Sequence, residues 1–208
     1  MRTASTAFFS LCVLVGVSMA VPAAAQLVVN GDFENTTNPG TVPDGWSVLG
    51  GNPVPPRAFH LTAVVPRSSG EWALDLGPSG RDVENGGRIF QTFVVPKAGV
   101  YDFRFDYSNE LNSPALLADF FWSLSGRVQD GQTLRRVGGG YVALTRRYTV
   151  SEPGNVTLTF GDIVGNGGLD AIIDNVSFAA VPLPPSAWLL GLATIALASR
   201  GRRRLARS

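Results

Sequence analysis

The run Tyr101 to Tyr107 (YDFRFDY) constrains the fold more than any other feature, because aromatic and charged residues alternate along it. Neighbouring side chains of a β-strand point to opposite faces of a sheet, so a period of two places four aromatic rings on one face and Asp, Arg and Asp on the other. The run therefore predicts a strand with one face in a hydrophobic core and the other facing water or a ligand.

Similar short runs recur along most of the chain, separated by Gly, Pro, Asn and Asp, and no amphipathic helix pattern interrupts them. Besides the run at 101–107, strands are predicted at 26–33, 46–49, 58–65, 71–76, 88–95, 116–124, 141–150, 155–160 and 171–179. Residues 53–56 and 126–136 are predicted to be loops. Strands at this near-regular spacing predict an all-β fold, a jelly-roll-like antiparallel β-sandwich, over residues 26–180.

The first 25 residues are typical of a secretory signal peptide rather than of a folded domain. Arg2 is their only charged residue, an apolar run follows over residues 7–21, and Ala23 and Ala25 form a small-residue cleavage motif. We therefore predict an apolar signal helix that signal peptidase removes after Ala25. The single cysteine, Cys12, lies in this segment, so the exported domain has no thiol and no disulfide.

Residues 181–208 form a third segment, in which a proline cluster precedes an apolar stretch and an arginine cluster. As a helix, residues 187–199 would span only about 20 Å of a hydrocarbon core of about 30 Å, so this short hydrophobic helix is a marginal anchor. The arginines behind it favour a cytoplasmic C-terminus. Three interpretations follow: a single-span anchor, a basic arm for nucleic acid, and a sorting signal that inserts transiently into the inner membrane.

The order of this tail resembles the PEP-CTERM sorting signal of Gram-negative bacteria, with Val181, Pro182, Leu183 and Pro184 in the position of the recognition motif. Leu183 stands where that motif has Glu. The resemblance implies recognition by an exosortase-type processing enzyme, an integral-membrane protease and transpeptidase. It also implies loss of the hydrophobic tail, release or attachment at the cell surface, and a host that makes extracellular polysaccharide and biofilm.

The charge balance of the central residues bears on the choice of partner. Six of the 17 basic residues lie in the two terminal segments, whereas all 16 acidic residues lie between those segments. The central residues therefore carry a net charge of about −5, which favours solubility and argues against a nucleic-acid partner.

Three stretches of residues 26–180 resemble the galactose-binding-like β-sandwiches that many carbohydrate-binding modules share. These stretches are 27–34 with 43–46, 72–77 leading into 89–93 and 99–105, and 169–178. The resemblance implies that the first and last strands lie together, with a structural calcium near their junction.

Carried over by position, the implied calcium ligands are the carboxylates of Glu34 and Asp174, with Asp75 as a third and a carbonyl from Gly31 or Asp32. Hard oxygen donors of this kind suit calcium, which takes six to eight of them. The alternative is that these acids cap turns or accept backbone hydrogen bonds.

A sugar ring has an apolar face and a rim of hydroxyls, so its site needs an exposed aromatic ring beside polar groups. Phe120, Phe121 and Trp122 are consecutive in a predicted strand and point to both of its faces, so at least one of these rings must point away from the core. Phe121 and Trp122 are the predicted sugar-contacting rings, and Trp122 is the predicted platform. Arg104 and Asp106 are the predicted polar partners. The alternative is that the aromatic residues are core and that the charged residues form a solvated ladder.

Catalytic patterns are weak in this sequence. His60 is the only histidine, and the G-x-S-x-G motif of a nucleophile elbow does not occur. The sequence therefore predicts a secreted, non-catalytic cell-surface or matrix protein that binds carbohydrate, with extracellular polysaccharide as the expected ligand. A structural or adhesive protein that contacts other proteins is the second hypothesis, and a glycan-acting enzyme that uses two carboxylates is the third.

Overall fold

A computed structural model describes residues 25–35, 41–49, 57–60, 68–76, 88–109, 117–137, 140–163 and 171–182. Residues 24–181 form one compact unit. The predicted signal helix and the predicted C-terminal hydrophobic helix lie outside the described residues, as do Leu183 and Pro184 of the predicted sorting motif. In the described ranges there is no helix with the length and hydropathy needed to span a bilayer.

The described residues form ten β-strands. These are β1 (Ser47–Val48), β2 (Arg57–His60), β3 (Trp72–Asp75), β4 (Arg88–Val95), β5 (Gly99–Asn109), β6 (Leu117–Gly126), β7 (Asp130–Val137), β8 (Val142–Val150), β9 (Gly154–Asp162) and β10 (Ala171–Ala180). They build two five-stranded antiparallel sheets: sheet I has the order β1-β4-β9-β6-β7, and sheet II has the order β2-β3-β10-β5-β8. The prediction of an all-β antiparallel sandwich is confirmed.

The core lies between the two sheets and is dominated by aromatic rings. Tyr101, Phe103 and Phe105 of β5 are buried, as their alternation with charged residues predicts. The ring of Phe103 lies 5.2 Å from that of Trp122, and the ring of Phe105 lies 5.1 Å from that of Phe160. Each such ring pair stabilises the fold by about 0.5–1.5 kcal/mol beyond the effect of burying its apolar area, so these contacts stabilise the packing of sheet II on sheet I.

The segment predicted as a strand at 26–33 is different in the structure. Gln26 forms one isolated bridge with Ala179, and the chain then turns, with positive φ at Asn30 (48°) and Phe33 (58°). The Asn30 side chain closes this turn with two hydrogen bonds: its amide N–H donates to the Asn35 carbonyl, and its amide oxygen accepts from the Asn35 N–H. Asn tolerates the left-handed region better than most residues, so local hydrogen bonding overrides the strand pattern. The start of the domain still lies against its last strand, as expected.

The loop predicted at 126–136 is also different, because residues from Asp130 onward form the edge strand β7. Gly126, with φ 96°, begins the reversal that brings β7 back along β6. An edge strand pairs on one side only and leaves most of its side chains in water. Its polar sequence therefore lacks the hydrophobic alternation by which the other strands were predicted.

Candidate functional site

The four predicted sugar-contacting residues do not share one surface. Phe121 and Trp122 belong to β6 in sheet I, whereas Arg104 and Asp106 belong to β5 in sheet II. Phe121 points out of sheet I, and Arg104 and Asp106 lie on the outer face of sheet II, with the aromatic core between them. The structure therefore separates the aromatic half of the predicted site from its polar half by the full thickness of the sandwich.

Trp122 is a core residue, so the prediction that it forms a sugar platform is wrong. It is 1% exposed, and its indole packs against Phe103 and Phe105 of the opposite sheet. Alternation along β6 turns Trp122 inward and Phe121 outward, so the ring that leaves the core is that of Phe121. The indole N–H has no hydrogen-bond partner among the described residues.

Phe121 lies on the outer surface of sheet I with its ring against the backbone of the neighbouring strand. Its cross-strand partner is Gly161 of β9, and a Cβ added to Gly161 would overlap the Phe121 ring. Arg88 of β4 pairs with Gly161 from the other side, and its guanidinium carbon lies 5.3 Å from the centre of the Phe121 ring. The ring thus lies against the Gly161 backbone and makes a cation–π contact with Arg88.

The surface around this ring combines apolar and hydroxyl groups. We call it the Phe121 face, made up of Arg88 and Phe90 on β4, Thr159 and Gly161 on β9, Phe121 on β6 and Thr133 on β7. Both phenyl rings are partly exposed, and β4 and β6 are two strand spacings, or about 10 Å, apart. Flat rings, threonine hydroxyls and a guanidinium are the groups that suit a sugar with one apolar face and a polar rim.

A charge pair borders the Phe121 face on the β7 side. Arg135 makes two hydrogen bonds to Asp119, of 2.8 and 2.7 Å, in the fork geometry typical of an arginine and a carboxylate. Hydrogen bonding to Asp119 raises the pKa of Arg135. Asp119 is buried beneath Arg135, two residues before Phe121 on the same strand. The pair therefore forms the border of the Phe121 face on this side.

Arg104 and Asp106 belong to a hydrogen-bonded group on sheet II, which we call the Asp106 network. The Oδ2 atom of Asp106 accepts hydrogen bonds from the Ser68 hydroxyl at 2.6 Å and the Asn175 amide at 2.9 Å. Its Oδ1 atom accepts a hydrogen bond from the Arg104 guanidinium at 3.2 Å. Burial raises the pKa of Asp106, but these three donors together hold it below its ordinary value. Both oxygens are therefore engaged within the protein, although contact with a sugar remains a prediction.

The predicted calcium ligands lie near this network, at the junction of the first segment with β10. Glu34 accepts hydrogen bonds from the backbone N–H groups of Glu71 and Trp72, at 2.8 and 2.9 Å. Asp174 accepts from the N–H groups of Ser69 and Asn175, at 3.2 and 2.7 Å. Both carboxylates thus accept backbone hydrogen bonds, as expected if these acids stabilise turns instead of binding calcium.

Asp174 is fully buried, and burial raises its pKa to about 7, with smaller contributions from the charges of Asp106 and Glu34. Asp75 pairs with Ile172, two residues before Asp174. The described residues include no group of three or more His, Cys, Asp or Glu side chains arranged to hold a metal. The oxygen donors of Glu34 and Asp174 suit calcium in kind, but backbone carbonyls and water would have to supply the other ligands.

Sequence reasoning missed Arg88 and Gly161, and both carried a signal. The order Arg88, Ile89, Phe90 places the first and third residues on one face of a strand whose middle residue is apolar. A glycine directly after Phe160, inside a strand pattern, marks a position where another group approaches the backbone closely. The sequence does not say that this group is Phe121, because that depends on the pairing of β6 with β9.

No protein-family model matches this sequence, and no curated protein matches it either. Solved structures do match its fold. TmCBM61 in complex with β-1,4-galactotriose is 15% identical, with a TM-score of 0.50, and the match covers 76% of this chain and 100% of that one. The CBM22-1 xylan-binding domain of Xyn10C from Paenibacillus barcinonensis is 16% identical, with a TM-score of 0.50 over 79% of this chain and 100% of that one.

The third match lies within a larger enzyme. The arabinose-bound α-L-arabinofuranosidase MgGH51 is 12% identical, with a TM-score of 0.52, and the match covers 74% of this chain but 26% of that one. Thus two of the three matches are separate binding modules spanned along their full length, and the third is part of a glycoside hydrolase. At these identities the similarity concerns the fold, and the chain has a β-sandwich similar to those of carbohydrate-binding modules.

Proposed function

We propose that this protein is an exported, non-catalytic surface or matrix protein that binds polysaccharide on the Phe121 face. The observation that carries the proposal is the partly exposed Phe121 ring, which contacts Gly161 and Arg88 and has Thr133 and Thr159 beside it on the same face. Similar folds in a galactotriose-bound module and a xylan-binding domain support carbohydrate as the ligand class.

A fixed ring favours binding for an entropic reason. Ordering a mobile side chain at an interface costs about 0.5–1.5 kcal/mol, whereas a ring already held in place loses little freedom when a sugar stacks on it. The backbone of Gly161 and the guanidinium of Arg88 restrict Phe121 before any ligand arrives. The Phe121 face also lies on paired strands rather than on a loop, so its rings and hydroxyls keep a constant spacing.

The outer face of sheet II is less suited to this role. The Asp106 carboxylate is saturated by Ser68, Asn175 and Arg104, and Asp102 makes two hydrogen bonds to Arg147, of 2.7 and 2.9 Å. Groups that already satisfy one another must break those bonds before they bind a hydroxyl, which costs most of what the new bonds would contribute. This difference between the two faces leads us to place the ligand on sheet I.

Replacing Phe121 with alanine is expected to weaken polysaccharide binding at least about tenfold, because truncating an aromatic anchor at a hot spot costs about 2 kcal/mol or more and each 1.4 kcal/mol is about tenfold in affinity. Affinity electrophoresis against galactan, xylan and acidic polysaccharides measures the change. Val94→Ala is the matched control, since Val94 is an apolar residue of the same sheet, 60% exposed and outside the Phe121 face. Unchanged binding in Phe121→Ala would contradict the proposal, and a wild-type protein that retains no polysaccharide would favour the structural or adhesive alternative.

We also propose that residues 181–208 are a sorting signal that an exosortase-type enzyme removes. The sandwich supports this division of the chain. Its last strand, β10, ends at Ala180, and the Val181 N–H donates to the Val100 carbonyl at 2.8 Å. A cut near Pro182 would therefore leave all ten described strands in place, and the binding domain would persist after processing.

The intact mass of the mature protein tests the proposal of sorting. In a host that has an exosortase, the mass should correspond to a chain that begins at Gln26 and lacks the hydrophobic and arginine-rich residues. In the same host with the exosortase gene deleted, the tail should remain. A mature C-terminus at Ser208 in the intact host would contradict the proposal and favour a plain membrane anchor.

A further inference from the structure

Arg88 on the Phe121 face forms no ion pair with any acid that the structure describes. The ion pairs of the described residues join Arg104 to Asp106, Arg127 to Glu152, Arg135 to Asp119 and Arg147 to Asp102. Arg88 is exposed, and it has no carboxylate partner in the part of the chain that the structure describes. Its contact with the Phe121 ring engages no hydrogen-bond acceptor, so its N–H donors remain available to a ligand.

The two outer faces of the sandwich differ in charge. On sheet I the described outward side chains include two arginines, Arg88 and Arg135, against the single acid Asp119. Among the outward side chains that the structure describes on sheet II there are four acids, Asp75, Asp102, Asp106 and Asp174, and two arginines, Arg104 and Arg147. An anionic polymer would thus be repelled by sheet II and attracted to sheet I, although the whole domain is acidic.

From these two observations, and resting on the proposed function, we propose that the polysaccharide is anionic and carries uronate carboxylates. One sugar ring stacks on Phe121, and a carboxylate of the same or the next sugar binds the Arg88 guanidinium. Carboxylate is the anion that we favour, because the planar fork of N–H donors in arginine matches its two oxygens. The cation and the ring are in contact with each other, so a uronate residue offers the apolar face and the charge that this pair can bind together.

Matched polymers test this inference: polygalacturonate and alginate, each compared with its own carboxyl-reduced form. We expect the wild-type protein to bind at least one of the acidic polymers about tenfold more tightly than its reduced form at low salt. The preference should fall in 0.5 M NaCl, because exposed charges are screened over about 3–10 Å at such ionic strengths. In Arg88→Gln the ratio of the two affinities should drop below about threefold.

Arg146→Gln is the control, because Arg146 is an exposed arginine of β8 that donates to Gln132 and lies outside the Phe121 face. This variant should keep the full preference for the acidic polymer. An equal affinity of the wild type for the acidic and reduced polymers, or an unchanged ratio in Arg88→Gln, would overturn the inference. The proposed function would survive either result if Phe121→Ala still abolished binding, and it would fail by itself if Phe121→Ala had no effect.

Discussion

Replacing Trp122 with alanine is expected to lower the free energy of unfolding by about 3–5 kcal/mol, the usual cost of deleting a large aromatic side chain from a core. Trp122 is 1% exposed and its indole contacts Phe103 and Phe105 across the sandwich, so the variant would leave a cavity between the sheets. Small domains have only about 5–15 kcal/mol of stability in total, and the loss would therefore be a large fraction. Urea unfolding, followed by far-UV circular dichroism, measures it.

Trp122→Phe is the matched control for this prediction. It keeps an aromatic ring in the core and removes the indole N–H, which is buried without a partner among the described residues. Losing an unsatisfied donor offsets part of the lost volume, so we expect a cost of about 1–2 kcal/mol. If Trp122→Ala kept its stability and yet lost polysaccharide binding, the assignment of Trp122 to the core would be wrong and that of Phe121 to the binding face would be in doubt.

With divalent cations chelated, the free energy of unfolding is expected to fall by roughly 2–4 kcal/mol as the pH rises from about 4 to about 7. The main cause is Asp174, whose pKa burial raises to about 7 in the folded protein, against an ordinary value of 3.8. Well below pH 4 the Asp174 carboxyl is protonated in both the folded and the unfolded protein, so it does not lower the free energy of unfolding. Between these values the unfolded chain releases the proton and the folded chain retains it, so stability is lost until the folded carboxyl also ionises.

Asp106 and Asp102 have lowered pKa values, so their contributions run in the opposite sense and are lost as the pH falls below about 4. Burial also raises the pKa of Asp162, so Asp162 contributes in the same sense as Asp174. Urea unfolding of the wild type and of Asp174→Asn at pH 4.5, 6 and 8 in EDTA therefore measures Asp174 as the difference between the two proteins, and Asp174→Asn should show the smaller dependence on pH. Equal stability of the wild type at pH 4.5 and pH 8 would contradict the buried environment of Asp174.

Calcium should change this pH dependence if Glu34 and Asp174 bind it. A cation holds Asp174 in its ionised form, so the part of the loss of stability between pH 4 and pH 7 that Asp174 causes should disappear. A ligand bound only to the folded state, at 100 times its Kd, adds about 2.7 kcal/mol. No change in the unfolding midpoint on adding millimolar calcium at pH 7.5 would contradict the calcium prediction, and an equal effect on Asp174→Asn would contradict the choice of ligands.

The sequence predicted strand bounds and burial well where apolar and polar residues alternate strongly. It predicted them poorly where a local hydrogen bond or a position at the sheet edge determines the backbone structure. The strand over 88–95 has the predicted bounds, and β5 buries the predicted aromatic residues, because side-chain alternation directly determines which face is apolar. The turn after Leu27 was missed because the Asn30 side chain bonds the backbone of Asn35. The strand β7 was missed because its exposed side chains need not be apolar.

The sequence by itself determined the sandwich and which side chains of β5 turn inward, because both follow from the period of two within single strands. It also showed that at least one ring of Phe120, Phe121 and Trp122 must point away from the core. Only the tertiary structure decided that β5 and β6 belong to opposite sheets, since that depends on long-range strand pairing. The same pairing places Arg88, Gly161 and Phe121 in one row and separates them from Arg104 and Asp106, because residues adjacent in a sheet are distant in the chain.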